Sequence, residues 1–366
     1  MNTNLYIWQQ EDWPHFTWKQ EELLPLLYET STEKSYFLGR ISMLGLPEKE
    51  ASFLNTLEEE VLGSNSIENI NLKRDSVRSS ILSRLGYANE GIQNSDRYTV
   101  GAVNIIIDAI TNRNMPLTKE RLFGWHTELF PEGISDGRRI LTGRWRQGEM
   151  YVVSGHIGKE VIHYEAPPAS VIDNEMDEFL RFVNEENDIN PLIKAAVAHF
   201  WFVTIHPFSD GNGRIGRTIS EMLLARSDNT DHRYYSLSSA IMTNRQEYYD
   251  TLEYCQKSTL DITRFIVFFL KTLRDAVRNA ENAIQETIAK TKFWDTIHPI
   301  SLNERQIKLI NKLYDGFEGK LTTEKWAKIA KCSHSTALRD INELINKGIL
   351  IADGTKSKNI GYKLNF

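Results

Sequence analysis

The sequence predicts a mainly α-helical protein: a large helical bundle carrying one small β-hairpin, then a separate module of three helices and a second hairpin. Three observations predict this. Apolar residues recur every three to four positions through most of the first 293 residues, with no strand–helix alternation of the kind that builds a doubly wound sheet. Before residue 294 only EMYVVSGHIGKEVIHY (149–164) places β-branched runs on either side of a glycine-containing turn, the pattern of a hairpin. Charge is also uneven. Residues 301–366 hold 12 Lys+Arg against 7 Asp+Glu, net +5, whereas the remainder holds 31 against 42, net −11. A basic tail on an acidic body marks a distinct module.

Taken in order, the aromatic start (Tyr6, Trp8, Trp13, Phe16, Trp18) reads as an arm pinned to the helical body by its rings. A helix follows over 19–44, with Pro25 expected to bend or break it early. The next, 47–67, opens on Pro-Glu, a favourable first turn. Further helices are expected over 98–112, 119–129, 168–187, 191–205, 213–226, 244–256 and 260–293. The bundle ends at a proline-containing link, FWDTIHPISLN (293–303). This gives an N-terminal helical region (1–95), a core (96–293) and a C-terminal module (300–366).

Hydrophobic residues make up 41% and charged residues 25%, an ordinary globular composition. No apolar run approaches the ~18–20 residues that span a bilayer. The start lacks the basic and apolar segments of a signal peptide. Cys255 and Cys332 have no metal-ligand spacing and read as free thiols of a reducing cytoplasm.

The chemistry concentrates in HPFSDGNGRIGR (206–217). It contains GxGxxG at Gly211, Gly213 and Gly216, and an acidic Asp231 follows twenty residues after Gly211. A dinucleotide fingerprint must follow a strand. PLIKAAVAHFWFVTI, which precedes this one, reads as a buried helix, so the fingerprint is set aside. The better reading is an anion nest at a helix N-terminus. Gly211, Asn212 and Gly213 turn N–H groups inward, and the helix adds its positive end. Arg214 and Arg217 share one helical face and offer guanidinium forks to phosphate oxygens. Asp210 is placed to hold a divalent cation that bridges phosphates. His206 is placed to take a proton, and Phe208 anchors the loop. The parts add up to a polyphosphate nucleotide, a metal and a base. The plain alternative is a polar turn between two helices around a satisfied buried histidine.

HPFSDGNGRIGR resembles the signature of the Fic domain family, HPFx[DE]GNGRxxR, with every specified position filled, and the surrounding helices and hairpin resemble a Fic core over roughly residues 60–290. The resemblance implies a Fic-type helical bundle that transfers AMP from ATP, with Mg²⁺, to a Ser, Thr or Tyr hydroxyl of a target protein. It implies that His206 is the base and Asp210 the Mg²⁺ ligand. Gly211, Asn212 and Gly213 would form the hole for the α- and β-phosphates, Arg214 would hold phosphate, and Arg217 would hold the γ-phosphate. The hairpin resembles the Fic flap, whose edge docks a target by β-strand addition. Ile162, His163, Tyr164 and Glu165 are then the flap residues near nucleotide. NRQEYYDTLEYCQ (244–256) resembles the adenosine-binding segment, with Tyr248 and Gln256 near adenine and ribose. Family members often have Asn where Gln256 stands.

SNSIEN (64–69) fits the inhibitory pattern of this family, [ST]xxxE[GN], at the end of a helix spanning about 47–69. The resemblance implies that Glu68 pairs with Arg217 and occupies the guanidinium that the γ-phosphate needs, with Ser64 and Asn69 completing the motif. Asn69 is also a residue able to end a helix. Some inhibited relatives remove AMP with the same glutamate, and that alternative stays open, as do another phosphate-linked donor and a homodimer.

In the tail, NERQIKLINKLYDGF, LTTEKWAKIAKC and SHSTALRDINELINKGIL read as three helices, the third capped by Ser333 or Ser335 and ended at Gly348. ILIADGTKSKNIGYKLNF reads as two short strands around a wing. Three helices and a hairpin resemble a winged helix-turn-helix. In a DNA-binding version the third helix enters the major groove and Lys356 and Lys358 touch phosphates. DNA contact and protein contact stay open for this module. With DNA contact, the chain is a DNA-bound regulator whose Fic domain senses nucleotide.

Overall fold

The structure is a computed structural model that describes residues 6–87, 95–155, 161–186, 188–297, 299–314, 316, 317, 319–353 and 360–365. It comprises two compact units, residues 1–281 and 282–366.

The first unit begins with α1 (Gln20–Ser42), α2 (Leu46–Ile67), α3 (Arg74–Arg84), α4 (Arg97–Thr111) and α5 (Lys119–Leu129). Two antiparallel hairpins follow: β1 (Ile134–Ser135) with β2 (Arg138–Arg139), and β3 (Tyr151–Ser154) with β4 (Val161–Glu165). Then come α6 (Ile172–Asn184), α7 (Pro191–Ile205), α8 (Asn212–Asp228), α9 (Leu237–Thr243), α10 (Arg245–Gln256) and the start of α11 (Thr263–Ile297). α1 runs unbroken through Pro25, against expectation. Pro25 is the sixth residue of the helix, so its missing N–H removes about one intrahelical bond rather than interrupting a ladder. The expected run 244–256 is α10, and the short α9 before it was not expected. Nor was α3: its four serines give little helical signal, and Arg74 and Arg78 tie it to Glu58 of α2.

α7 lies in the middle of the bundle, with nearly every residue buried. Pro191 opens it, and Asn190 caps it by accepting the Leu192 N–H at 2.9 Å. It packs antiparallel to α8, and the loop between them is the sequence 206–211.

The aromatic arm is pinned as expected. The Trp8 indole donates to the Glu165 carbonyl at 2.8 Å, the Trp13 indole to Glu175 at 2.8 Å, and Tyr6 packs edge-on against Tyr164. Beneath α8, Arg233 bridges Glu221 and Asp228, and Asp228 also takes Lys34 of α1 at 2.5 Å. Burial raises the Glu221 carboxyl to about 7, even against the pull of Arg233.

α2 is docked tightly on α9. Glu60, buried, accepts from the Ser236 hydroxyl at 2.7 Å, the Ser238 N–H at 2.9 Å and the Ser238 hydroxyl. At Gly63 a methyl group would stand 2.7 Å from the Ser239 nitrogen and 2.9 Å from the Ser238 carbonyl carbon. Both are backbone atoms, which cannot swing aside. Gly63→Ala is therefore expected to push α2 off α9 and to cost about 1–3 kcal/mol. A urea titration with a midpoint equal to the parent's would sink that expectation.

The second unit holds α12 (Glu304–Tyr314), α13 (Thr323–Ala330), α14 (His334–Asn346) and the antiparallel pair β5 (Leu350–Ala352) and β6 (Tyr362–Leu364). This is the expected order of three helices and a hairpin. Ser333 caps α14, accepting the Thr336 N–H at 3.2 Å. Trp326, Leu309, Ile341 and Leu344 form its core, and Phe293, Trp294 and Ile297 of α11 pack on it. For that reason the division between units falls inside α11, ahead of the expected link at 293–303. Lys356 and Lys358 lie outside the described residues, as do residues 156–160 between β3 and β4. Among the described residues no helix is long and apolar enough to cross a membrane.

Candidate active site

α7 ends at His206, which takes a left-handed conformation (φ 52°, ψ 57°) and still gives its N–H to the Phe202 carbonyl at 3.0 Å. A non-glycine residue there is strained unless its surroundings hold it. Arg146 supplies the hold. Its guanidinium, 3% exposed, donates to four carbonyls: His206 at 2.8 Å, Gly148 at 2.7 Å, Pro167 at 2.5 Å and Ile205 at 3.5 Å. Its own N–H donates to the Pro207 carbonyl at 2.9 Å. One buried cation thus ties the helix end to the bases of both strands of the β3–β4 hairpin. Arg146→Met is expected to leave these carbonyls unpaired and to cost about 3 kcal/mol, read as a lower denaturation midpoint. A midpoint unchanged within error would refute this.

The His206 ring is oriented by the Val203 carbonyl, 3.1 Å from Nδ1. An Nδ1–H donor to that carbonyl leaves a lone pair on Nε2. Burial lowers the imidazole pKa below its ordinary value, and the Val203 contact offsets this only in part. Arg146 adds to the lowering.

The loop closes on itself. The Asn212 side chain accepts the Phe208 N–H at 2.9 Å and donates to the Phe208 carbonyl at 2.8 Å. Phe208 is fully buried and stacks on His126, centroids 4.2 Å apart. His126 is also buried, with its pKa lowered to about 4 by burial. As a neutral ring it accepts the Gly143 N–H at Nδ1 (3.2 Å) and donates from Nε2 to the Asp210 carbonyl at 3.2 Å. Asp210 is half-buried; one carboxylate oxygen holds the Gly211 N–H at 2.5 Å and the other takes the Ser135 hydroxyl of β1. Gly211 is left-handed (φ 79°), and a methyl group on it would crowd Phe130.

The first intrahelical bond of α8 runs from the Ile215 N–H to the Gly211 carbonyl, 3.0 Å. The helix therefore leaves the N–H groups of Asn212, Gly213 and Arg214 without helical acceptors. The expected nest at 211–213 is displaced by one residue, because Asp210 has taken the Gly211 N–H. Arg214 lies 6% exposed over the Phe130 ring, 4.9 Å from its centroid. Arg217 is fully buried. Its Nε donates to the Ser64 hydroxyl at 3.0 Å, and Nη2 to the Ser64 carbonyl at 2.8 Å and to Glu68 Oε1 at 2.7 Å. Burial opposes the Arg217 charge, yet the Glu68 carboxylate outweighs it and raises the pKa.

Glu68 caps α2, and Asn69 (φ 59°) ends it. The Asn69 N–H bonds the Ser66 carbonyl at 2.9 Å and the Ile70 N–H bonds the Asn65 carbonyl at 3.0 Å, a Schellman arrangement. The Glu68 carboxylate lies directly against Gly213, where a side chain would overlap it. α10 fixes this end: Arg245 donates to the Ile67 carbonyl at 2.6 Å, and the Tyr249 hydroxyl lies 3.1 Å from that carbonyl and 3.4 Å from Glu68 Oε2.

The structure thus brings together His206, Asp210, Gly211, Asn212, Gly213, Arg214, Arg217, Ser64 and Glu68. Tyr248 is buried, its hydroxyl 2.9 Å from His199 Nε2, and it also lies beside Arg217, which opposes the rise that burial gives its pKa. Gln256 stands apart from these residues, buried against the Thr204 hydroxyl at 3.3 Å. Tyr249 is the tyrosine whose hydroxyl reaches Glu68. In the flap, Tyr164 is buried, its hydroxyl on the Thr204 carbonyl at 2.8 Å, whereas Ile162 is 52% exposed. The Glu165 carbonyl is occupied by Trp8, and His163 bonds Glu253 of α10. Sequence reasoning missed Arg146, His126, Ser135, Tyr249 and Arg245. The arginine-rich run GRRILTGRWR (137–146), without an acidic residue, was the signal available for Arg146.

A left-handed histidine, a carboxylate, a helix N-terminus and two buried arginines meet on a central helix pair. Residues 116–224, which contain this arrangement, match the Fic/DOC family. A second match, to a domain of unknown function (DUF4172), spans residues 6–87. Over 169 residues the chain is 30% identical to the protein adenylyltransferase Fic of Culex quinquefasciatus, covering 46% of this chain and 30% of that one. Over 97 residues it is 27% identical to a probable protein adenylyltransferase of Aquifex aeolicus, covering 26% and 28%. The chain thus spans about a third of the length of the curated relatives it matches. A Fic family protein from Desulfovibrio desulfuricans G20 shares the fold, with a TM-score of 0.56, 22% identity, and coverage of 96% of this chain and 98% of that one. Residues 134–508 of Fic-1 from C. elegans share it at 0.52 and 19%, covering 72% of each.

Proposed function

We propose that this chain is a protein adenylyltransferase, moving AMP from ATP to a Ser, Thr or Tyr hydroxyl of a target protein, and that Glu68 holds it in a resting state. One observation carries the reading. Arg214 Nε and Arg217 Nη1 are buried donors without an acceptor, at the N-terminus of α8, and among the described residues the only carboxylate paired with either guanidinium is Glu68. An unpaired buried donor costs about 1–3 kcal/mol, more when charged, and needs an explanation. A polyphosphate supplies the missing oxygens, to the helix N–H groups and to both guanidinium forks.

The other groups take roles that fit. Asp210 is a single, partly exposed carboxylate at the mouth of this anion site, the donor that Mg²⁺ uses when phosphates supply further oxygens. When bound, Mg²⁺ offsets charge on the phosphates. His206 presents a free Nε2 to a target hydroxyl. Val153, Val161 and Ile162 are exposed on the flap, which offers its strand edge to an extended target segment. The second unit is read as a winged helix-turn-helix. Ser335, Leu338, Arg339 and Asn342 are exposed along α14 and form its contact surface for DNA or protein. A cytoplasmic site of action belongs to this reading.

The test is the intact mass of the Glu68→Gly protein after incubation with ATP and Mg²⁺. The expected result is a gain of one or more AMP groups. An unchanged mass, or a gain of some other group, would overturn the reading.

A further inference from the structure

Behind Arg217 lies a buried chain of polar groups that runs through three helices. On α8 the Ser220 hydroxyl donates to the Gly216 carbonyl, one turn back, at 3.1 Å. The Ser220 oxygen lies 2.9 Å from His199 Nδ1 of α7. On the far side of that ring, Nε2 lies 2.9 Å from the Tyr248 hydroxyl of α10. Tyr248 in turn lies beside Arg217, whose cation opposes the rise that burial gives the phenol pKa. Ser220, His199 and Arg217 are fully buried and Tyr248 is 2% exposed, so these groups must satisfy one another.

The chain has one direction, because its ends are fixed: a carbonyl can only accept, and a guanidinium can only donate. Ser220 gives its proton to Gly216 and so offers His199 a lone pair, which Nδ1–H fills. The imidazole is neutral, its pKa lowered to about 3 by burial first and by Arg217 second. Nε2 is therefore bare and takes the Tyr248 O–H. The reverse direction would turn the phenol hydrogen towards the guanidinium, donor against donor. In the direction that works, only lone pairs of the Tyr248 oxygen remain for Arg217. Each link polarises the next, which makes that oxygen more negative.

In the resting structure Arg217 is held by Ser64 and by Glu68. With Glu68 withdrawn, a fully buried cation keeps two bonds to Ser64 and, among the described residues, no carboxylate. Nη1 has no hydrogen-bond partner, so Tyr248 acts on the guanidinium as the negative end of a dipole. A second carboxylate in its place would pair with Arg217 as Glu68 does and close the site.

We propose that Tyr248 is a positioning residue for the reaction: with its proton held by His199, its oxygen keeps the Arg217 guanidinium in place for the γ-phosphate once Glu68 has left. This rests on the reading of Arg217 as the γ-phosphate ligand. Tyr248 and His199 act through Arg217 and have no contact with the nucleotide.

Calorimetry on the full chain carrying Glu68→Gly tests this. The probes are the non-transferable α,β-methylene forms of ATP and ADP, with Mg²⁺, which differ only in the γ-phosphate. Tyr248→Phe keeps the ring and removes the oxygen. It is expected to weaken binding of the triphosphate about fivefold or more and to leave the diphosphate within about twofold. His199→Leu, which keeps the oxygen but frees its proton, is expected to do the same. In Arg217→Ala the preference for the triphosphate is expected to be gone already, and Tyr248→Phe to change neither affinity. Equal weakening of both nucleotides, unchanged affinities, or a loss that persists without Arg217 overturns the inference. A Glu68→Gly protein that binds both nucleotides equally overturns it too, together with the γ-phosphate role of Arg217. Adenylyl transfer is read separately, by intact mass: the expected affinities without a gain of AMP support the positioning role and remove only the transfer reading.

Discussion

Glu68→Gly is expected to raise the rate of AMP transfer by about 100-fold. The magnitude follows from positioning. In-line attack tolerates little displacement, and a misplacement of about 1 Å costs ~100-fold. In the resting structure Arg217 spends three of its contacts on α2: the Ser64 hydroxyl, the Ser64 carbonyl and the Glu68 carboxylate. The same carboxylate lies against Gly213 in the first turn of α8, where phosphate oxygens are read to bind. A terminal phosphate must displace it or sit elsewhere. Glycine removes the competitor and leaves both Ser64 bonds to hold Arg217 in place. The change also costs stability. Breaking a fully buried ion pair costs ~3–5 kcal/mol. Here the Glu68 side chain is 31% exposed and Arg217 keeps its two bonds to Ser64, so about 1–3 kcal/mol is expected. The two effects are read separately, by initial rates with α-labelled ATP and by a denaturation midpoint. A less stable protein that transfers no faster would refute the brake, because it would show that the carboxylate holds the fold without obstructing the site.

His206→Ala, in the Glu68→Gly background, is expected to slow transfer ~10²–10⁴-fold, with ATP affinity nearly unchanged. The imidazole is oriented through Nδ1 by the Val203 carbonyl and presents Nε2. Its folded pKa lies below the ordinary value, with burial the first cause, so the ring is unprotonated at neutral pH. The rate should therefore be flat through neutrality and should fall only as pH drops through the lowered pKa, below ~6.5. Loss of the acid limb in the alanine variant would tie that limb to His206. A variant that retained both the limb and the rate would remove His206 from the chemistry.

Much of the site was legible because it is local. Twelve consecutive residues specify a helix end, a turn and a helix start. The fifteen preceding residues are apolar on every side, as a central helix must be, so GxGxxG carried no dinucleotide meaning. The contacts of Ser64 and Glu68 with Arg217 were legible because the spacing places a serine and a glutamate one turn apart on α2. What was missed depends on tertiary partners. Residues 248 and 249 differ by about 100° around α10, and the amphipathic pattern fits a tyrosine at either. Only the position of α2 decides which one meets Glu68. Arg146 reads in sequence as one surface cation among several. Its burial depends on four carbonyls from segments far apart in the chain. That Asp210 holds the Gly211 N–H, leaving Asn212 to Arg214 as the free first turn of α8, is a backbone arrangement that no residue pattern encodes. The early end of the first unit likewise follows from Phe293, Trp294 and Ile297 finding apolar partners in the second.

On the reading of Glu68 as a brake, proposed above, the seating of α2 on α9 sets how fast that brake acts. With Glu60 buried in three hydrogen bonds and Gly63 flush against the Ser238–Ser239 backbone, the helix is part of the core. No segment has to dissociate for the site to open. The moving part is one partly exposed carboxylate, and such side chains change rotamer in picoseconds to nanoseconds. Opening and closing then equilibrate many times within a single turnover. On that reading the resting rate is a population average over Glu68 rotamers, and an effector would act by shifting that average without imposing a lag.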